Sequence, residues 1–151
     1  MAKKLIALDP GKNTGIALFD GPELAYAFLA GDVPAPFELV GRGPVDPSTV
    51  LIIEIPRVYP GARSEDPNDL IGVAICAGRW IEYLGCNVVQ CVHPQDWKAS
   101  VPKAVHNQRV LAKLTEKEKC RLPSLPKTKL HNVIDAVGLG LFALGRMQRG
   151  K

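Results

Sequence analysis

The sequence lacks any stretch able to cross a membrane as a helix. Its most apolar segment, Val133 to Leu144, is interrupted by Asp135 and falls short of the roughly 20 residues a span requires. A leader peptide is not expected, because Met1-Ala2-Lys3-Lys4 runs straight into a short strand-like segment, so a cytoplasmic protein is expected. Cysteine is sparse. Cys76, Cys86, Cys91 and Cys120 form no C-x-x-C pair and have no histidines at zinc-ligand spacing, which argues against structural zinc and for free thiols in a reducing compartment. Internal repeats and low-complexity tracts are also missing.

What is present suits one ordinary domain. A chain of 151 residues, expected to fold as a single unit over 1–151, can bury about 70% of its unfolded surface without a staple. Apolar residues are 46% and charged residues 23%, the balance of a soluble globular protein. The net charge of +4 is unevenly spread: residues 1–94 hold seven Lys/Arg and eleven Asp/Glu, whereas residues 95–151 hold twelve and four. That asymmetry points to a polyanion approached by the C-terminal half.

Lys4 to Asp9 reads as a strand ended by Pro10-Gly11, Asn13 to Phe19 as its hairpin partner, and Leu24 to Leu29 as a third strand. Pro34 to Pro47 reads as a loop or short irregular helix. Val50 to Ile55 is β-branched and apolar on both faces, as a strand covered on both sides must be. A helix is predicted from an Asn68 cap to about Leu84, then a strand over Asn87 to Val92. Further helices are predicted from Pro102 to about Lys119 and from a Thr128 cap to about Met147. The order describes an α/β fold: a mixed central sheet with helices on both faces.

Three carboxylates stand where carboxylates are costly. Asp9 closes a buried strand, where it either caps the turn or does chemistry. Glu54 interrupts Leu51-Ile52-Ile53-Glu54-Ile55, and a charge there must meet a cation, either a buried arginine or a metal. Asp135 repeats the anomaly in a helix apolar nearly all round, with His131 and Asn132 one turn earlier. Gly138 and Gly140 in the same helix suggest close packing on the strands. Clustered carboxylates repel without a cation, and oxygen donors favour Mg²⁺ or Mn²⁺ over zinc. Without metal, Asp135 is expected to bear that repulsion.

Asp9-Pro10-Gly11 with Thr14-Gly15, then Glu54, Val58-Tyr59, Asn68, Leu70, Gly72, Ala74 and Gly78, then His93-Pro94 to Trp97-Lys98 with Val101-Pro102-Lys103, and finally His131 to Ala136, resemble in order and spacing the blocks of RuvC-type Holliday-junction resolvases. The resemblance implies an RNase H-like fold, a two-metal endonuclease of branched DNA with Asp9, Glu54 and Asp135 as ligands, a homodimer, and a bacterial or phage-infected cell. That family places a carboxylate or histidine three residues before the last aspartate. Here Asn132 stands at that point, and His131, one residue displaced, is the candidate for its role.

A polyanion partner has independent support. At about 100° per residue, Lys103, His106, Arg109, Lys113 and Lys117 fall within an arc of roughly 120°, either a solvated face or a stripe for phosphates. Ala104, Val105, Leu111 and Ala112 take another side, with Val110 and Leu114 between. Arg57, Tyr59 and Arg63 follow Glu54: the tyrosine either stacks on an unpaired base or is simply exposed, and the arginines contact phosphate or solvate the loop. Lys98 is a further candidate for DNA contact, and its neighbour Trp97 reads as a packing residue. A nuclease acting on RNA or an RNA–DNA hybrid (YqgF-like) and a non-catalytic nucleic-acid-binding module are the alternatives.

Overall fold

The computed structural model describes residues 3–34, 45–61 and 66–149. Most of the Pro34–Pro47 stretch, and Arg63, lie outside them.

Five strands form one sheet in the order β3-β2-β1-β4-β5: β1 (Lys4–Asp9), β2 (Asn13–Asp20), β3 (Glu23–Gly31), β4 (Val50–Glu54) and β5 (Val88–Val92). Short turns join β1, β2 and β3, so those pairs are antiparallel. β4 lies parallel to β1, and β5 parallel to β4. The β4-to-β5 crossover is made by α1 (Pro67–Leu84), which Asp66 caps by accepting from the Asn68 N–H at 2.9 Å. Asp66 thus takes the role expected of Asn68, because Pro67 fits the first helical turn.

Four more helices follow: α2 (Pro94–Trp97), α3 (Lys103–Ala112), α4 (Glu116–Lys119) and α5 (Lys127–Ala143). The helix expected from Pro102 to Lys119 is therefore two, divided at Thr115, whose hydroxyl accepts from the Glu118 N–H while the Glu118 carboxylate accepts from the Thr115 N–H. The last helix starts after Pro126 rather than at a Thr128 cap and ends before Met147.

Alternating residues of β1 and β4 serve opposite cores, which explains why both strands are apolar throughout. Leu5, Ala7, Val50 and Ile52 pack with Val133, Val137 and Leu141 of α5. Ile6, Leu8, Leu51 and Ile53 pack with Cys76, Ala77, Trp80 and Leu84 of α1. Helices thus cover both faces of a mixed sheet, as expected.

The seating of α5 depends on glycine. A Cβ at Gly15 of β2 would collide with the backbone of Asn132, and one at Gly140 with the Phe19 ring. Gly138 instead makes room for the side chains of Val110 and Trp97, so it serves helix packing rather than a strand. Past α5, Arg146 pairs with the buried Glu118 at 2.7 and 2.9 Å, while Glu118 also accepts from the Leu24 N–H at 2.8 Å. This pair pins the end of α5 to α4 and β3.

Candidate functional site

Asp9 and Glu54 are the last residues of β1 and β4. Those strands are parallel, with Leu8 opposite Ile53, so the two carboxylates emerge side by side from adjacent carboxyl ends. Ligand sites of open α/β sheets form outside such ends. Beside Asp9 the turn is fixed by buried Thr14, whose hydroxyl donates to the Gly11 carbonyl at 3.0 Å. Asp135, 8% exposed in the middle of α5, completes the cluster from the helix.

α2 delivers two more groups. Buried Trp97 donates its indole N–H to Glu54 Oε2 at 2.8 Å. Lys98 Nζ lies 3.0 Å from Glu54 Oε2 and 3.4 Å from Asp135 Oδ2. Ala99 turns the chain away in the left-handed region at φ 53°. Opposite Lys98, His106 of α3 brings Nε2 to 3.2 Å from Asp135 Oδ1. The His106 ring meets Trp97 edge-on at 5.1 Å, so Trp97 touches partners of two of the three carboxylates.

The electrostatics show where charge is short. Burial first, then repulsion from Glu54 and Asp135, pushes the Asp9 carboxyl well above its usual range, against the pull of Lys98 and Lys103. Burial also opposes ionisation of Asp135, yet the apposed His106 and Lys98 outweigh it and hold that carboxyl below its usual value. The repulsion expected at Asp135 thus falls on Asp9. Burial opposes the Lys98 ammonium too, but Glu54, Asp135 and Asp9 prevail and raise its pKa.

The other candidates divide. Lys98, expected to contact DNA, lies among the carboxylates. His106, expected on the phosphate stripe, is 5% exposed because the inward row of α3 runs through His106, Val110 and Leu114. Ala104, Val105 and Ala112, expected on another side from the stripe, are exposed as well. Lys103, Arg109 and Lys113 are exposed, whereas Lys117 belongs to α4 and pairs with Glu23 at 3.3 Å. His131 and Asn132 are half-buried, and the Asn132 amide turns back to the Lys129 carbonyl. The Tyr59 ring is half-buried, its hydroxyl unpaired among the described residues, with Arg57 5.8 Å above its face. The Trp97 indole and the inward His106 are the site groups not foreseen. No sequence signal marks the first, because Trp97 meets Glu54 only across the fold.

The same arrangement of strands and helices occurs in known structures. RuvC of T. thermophilus, solved in complex with a Holliday junction substrate, superposes with a TM-score of 0.55 over 97% of this chain and 98% of its own, at 15% identity. The Fowlpox virus resolvase, solved with substrate Holliday junction DNA, does so with 0.53 over 94% and 97%, at 18% identity. The chain has an RNase H-like fold. In sequence it matches no family model and no curated protein. Among the described residues no helix is long and apolar enough to cross a membrane.

Proposed function

We propose that the chain is a metal-dependent endonuclease that cleaves branched DNA, with a four-way junction as the favoured substrate. One observation carries this: an RNase H-like sheet brings Asp9, Glu54 and Asp135 from two strand ends and a covering helix into one charge-stressed cluster beside an exposed basic helix face. The two resolvases of like fold were solved with Holliday junctions, which supports the choice of branch.

The donor set is made of carboxylate oxygens, the class a hard divalent cation takes, and the folded state charges Asp9 only at a cost that a cation would relieve. No three His, Cys, Asp or Glu of the described residues already stand at metal-ligand spacing. Lys98 fills the shared space between Glu54 and Asp135 with a positive charge of its own. Asp9, Glu54 and Asp135 would hold Mg²⁺ or Mn²⁺, two ions by the resemblance, with Lys98 yielding its position. Such cations supply an activated water and stabilise the leaving oxygen of a phosphodiester.

The chain's own residues do the rest. Trp97 fixes the Glu54 carboxylate by donating to Oε2, while Oε1 accepts from the Lys98 ammonium at 3.2 Å. Lys103, Arg109 and Lys113 hold backbone phosphates leading to the cluster, and Arg57 with Tyr59 borders it on the loop after Glu54. A homodimer would pair two such sites for symmetric cleavage. The exposed Ile71, Ile75 and Tyr83 on α1, with Gly72 and Gly78 open to a neighbour, offer its interface.

The test is cleavage of four-way junction, flap, duplex and RNA–DNA hybrid side by side with Mg²⁺ or Mn²⁺. Metal-dependent cutting of junctions above duplex supports the proposal. Preference for the hybrid would move the substrate to RNA, and binding without cutting would leave a DNA-binding module.

A further inference from the structure

Beside the carboxylate cluster the surface dips into a notch lined by Trp97, Lys98, His106, Arg109, Met147 and Gln148. It is built by α2 and the residue after it, by α3, and by the chain beyond α5. The last of these walls is fixed by the way α5 ends. Gly145 takes the left-handed region at φ 70°, so the chain turns back and the Arg146 and Met147 N–H groups both donate to the Leu141 carbonyl, at 2.9 and 3.2 Å. The Arg146 guanidinium then donates to the Lys113 carbonyl at 2.9 Å, where α3 ends. The segment bearing Gln148 is thereby tied to the helix bearing Arg109.

No carboxylate lines the notch. Trp97 and Met147 are buried and supply its apolar part, while Lys98 and His106 give their charge to Asp135. Arg109 and Gln148 are exposed, and their side chains make no hydrogen bond or ion pair among the described residues. A guanidinium and an amide are therefore left with donors to offer. A cleft lined by charge of one sign with apolar walls concentrates its field, and a guanidinium presents two parallel N–H groups to phosphate oxygens. The empty space is about 180 Å³ with its mouth included, below the range of pockets that enclose a whole small molecule. It suits one phosphate group whose nucleosides stay outside. Lys98 and His106 belong to both the notch and the cluster, so a phosphate held here lies one side chain away from Glu54 and Asp135.

We propose that the notch is a subsite for a single phosphodiester of the substrate strand, next to the one that is cut, with Arg109 and Gln148 as its donors. This rests on the reading of the chain as a nuclease of branched DNA. It also separates Arg109 from Lys103 and Lys113. Those lysines meet the backbone as a charged face, whereas Arg109 and Gln148 together fix one phosphate and so set which bond lies over the carboxylates.

The experiment uses four-way junctions that each carry one uncharged methylphosphonate, moved in turn through the phosphates around the branch. Their affinity for the full chain is measured in Ca²⁺. One position is expected to cost the wild type about tenfold, the scale of a lost charge-assisted hydrogen bond. Arg109→Gln and Gln148→Ala are each expected to weaken binding of the natural junction and to lose that single sensitivity, whereas Lys113→Gln weakens binding and keeps it. Arg109→Gln should flatten the slope of log affinity against log salt by about 0.9, and Gln148→Ala, which removes no charge, should leave the slope unchanged. The absence of any sensitive position, or a sensitivity that either notch variant retains in full, overturns the subsite while leaving the branched-DNA reading intact. A wild type that binds no four-way junction removes that reading itself, and the subsite with it.

Discussion

Lys98 reaches Glu54 with its ammonium 3.0 Å from Oε2, and the same nitrogen lies 3.4 Å from Asp135. A lysine therefore supplies the cation that three neighbouring carboxylates require when no metal is bound. Removing one partner of a largely buried pair leaves uncompensated charge. Because Lys98 keeps 22% side-chain exposure, the cost is discounted to about 2 kcal/mol. Lys98→Met should then lower Tm in chelator by roughly 4–8 °C. Added Mn²⁺ should raise Tm more in the variant than in the wild type, since it no longer competes with the lysine. Melting curves with chelator and with Mn²⁺ check this, and an unchanged Tm in chelator would show that the lysine stabilises nothing.

Asp9 carries the opposite sign. Its folded pKa is raised, so the folded state resists its ionisation, and stability is lost as pH rises from the unfolded value through the folded one. Above the unfolded carboxylate value the folded state therefore bears a cost at Asp9, and Asp9→Asn relieves it. In chelator at pH 7 the variant should melt higher than wild type by roughly 2–4 °C, equivalent to about 1 kcal/mol. Asp135→Asn should melt lower instead, because Lys98 and His106 already hold that carboxylate charged. Equal shifts in both variants would contradict the uneven distribution of stress.

The basic face should be read through salt. Neutralising Lys103, Arg109 and Lys113 together should weaken DNA binding on every substrate. The slope of log affinity against log salt should flatten by about 0.9 for each phosphate that the helix no longer neutralises. An untouched slope would place this face in solvent. Tyr59→Ala should lower junction cleavage more than duplex affinity, provided Arg57 gives up the ring to a base.

Glu118 sets the acid limit. Hydrogen bonds from Arg146, offsetting burial, and from the Leu24 and Thr115 N–H groups lower its pKa to about 2. A depressed carboxyl contributes stability that is complete above the unfolded value and is lost as pH falls toward the folded one, between about 4.5 and 2. Glu118→Gln should cost about 3 kcal/mol at pH 7 and remove most of that dependence, measured by urea unfolding across pH. A variant that unfolds in parallel with wild type from pH 7 to 3 would contradict the pairing.

Asp9, Glu54 and Asp135 were legible because each is a charge inside an apolar run, and a one-dimensional anomaly of that kind survives folding. The sheet was legible for the same reason, since Val50 to Glu54 can be apolar on both faces only when covered twice. His106 was not legible. Its residue type and helical spacing fit a cationic stripe, and only the docking of α3 through Val110 onto Gly138 turns its row inward. The ion pairs of Lys98 were not legible either, because a lysine beside a tryptophan carries no sign of which carboxylates lie across the fold. The break between α3 and α4 was hidden because Thr115 gives a capping signal inside a lysine- and glutamate-rich run that reads as continuous helix.

The most direct measurement is paired binding and cleavage of a four-way junction by wild type, Asp9→Asn and Glu54→Gln, each in Mg²⁺, Mn²⁺ and Ca²⁺. Wild type should bind in all three and cut efficiently only in Mg²⁺ or Mn²⁺, because the looser coordination of Ca²⁺ positions water poorly. Both variants should bind the junction within about threefold of wild type and lose at least ~10³-fold in cleavage rate, as expected when a transition-state interaction is removed. Substantial cleavage by either variant, or efficient cutting in Ca²⁺ alone, would contradict a carboxylate-held metal as the source of activity.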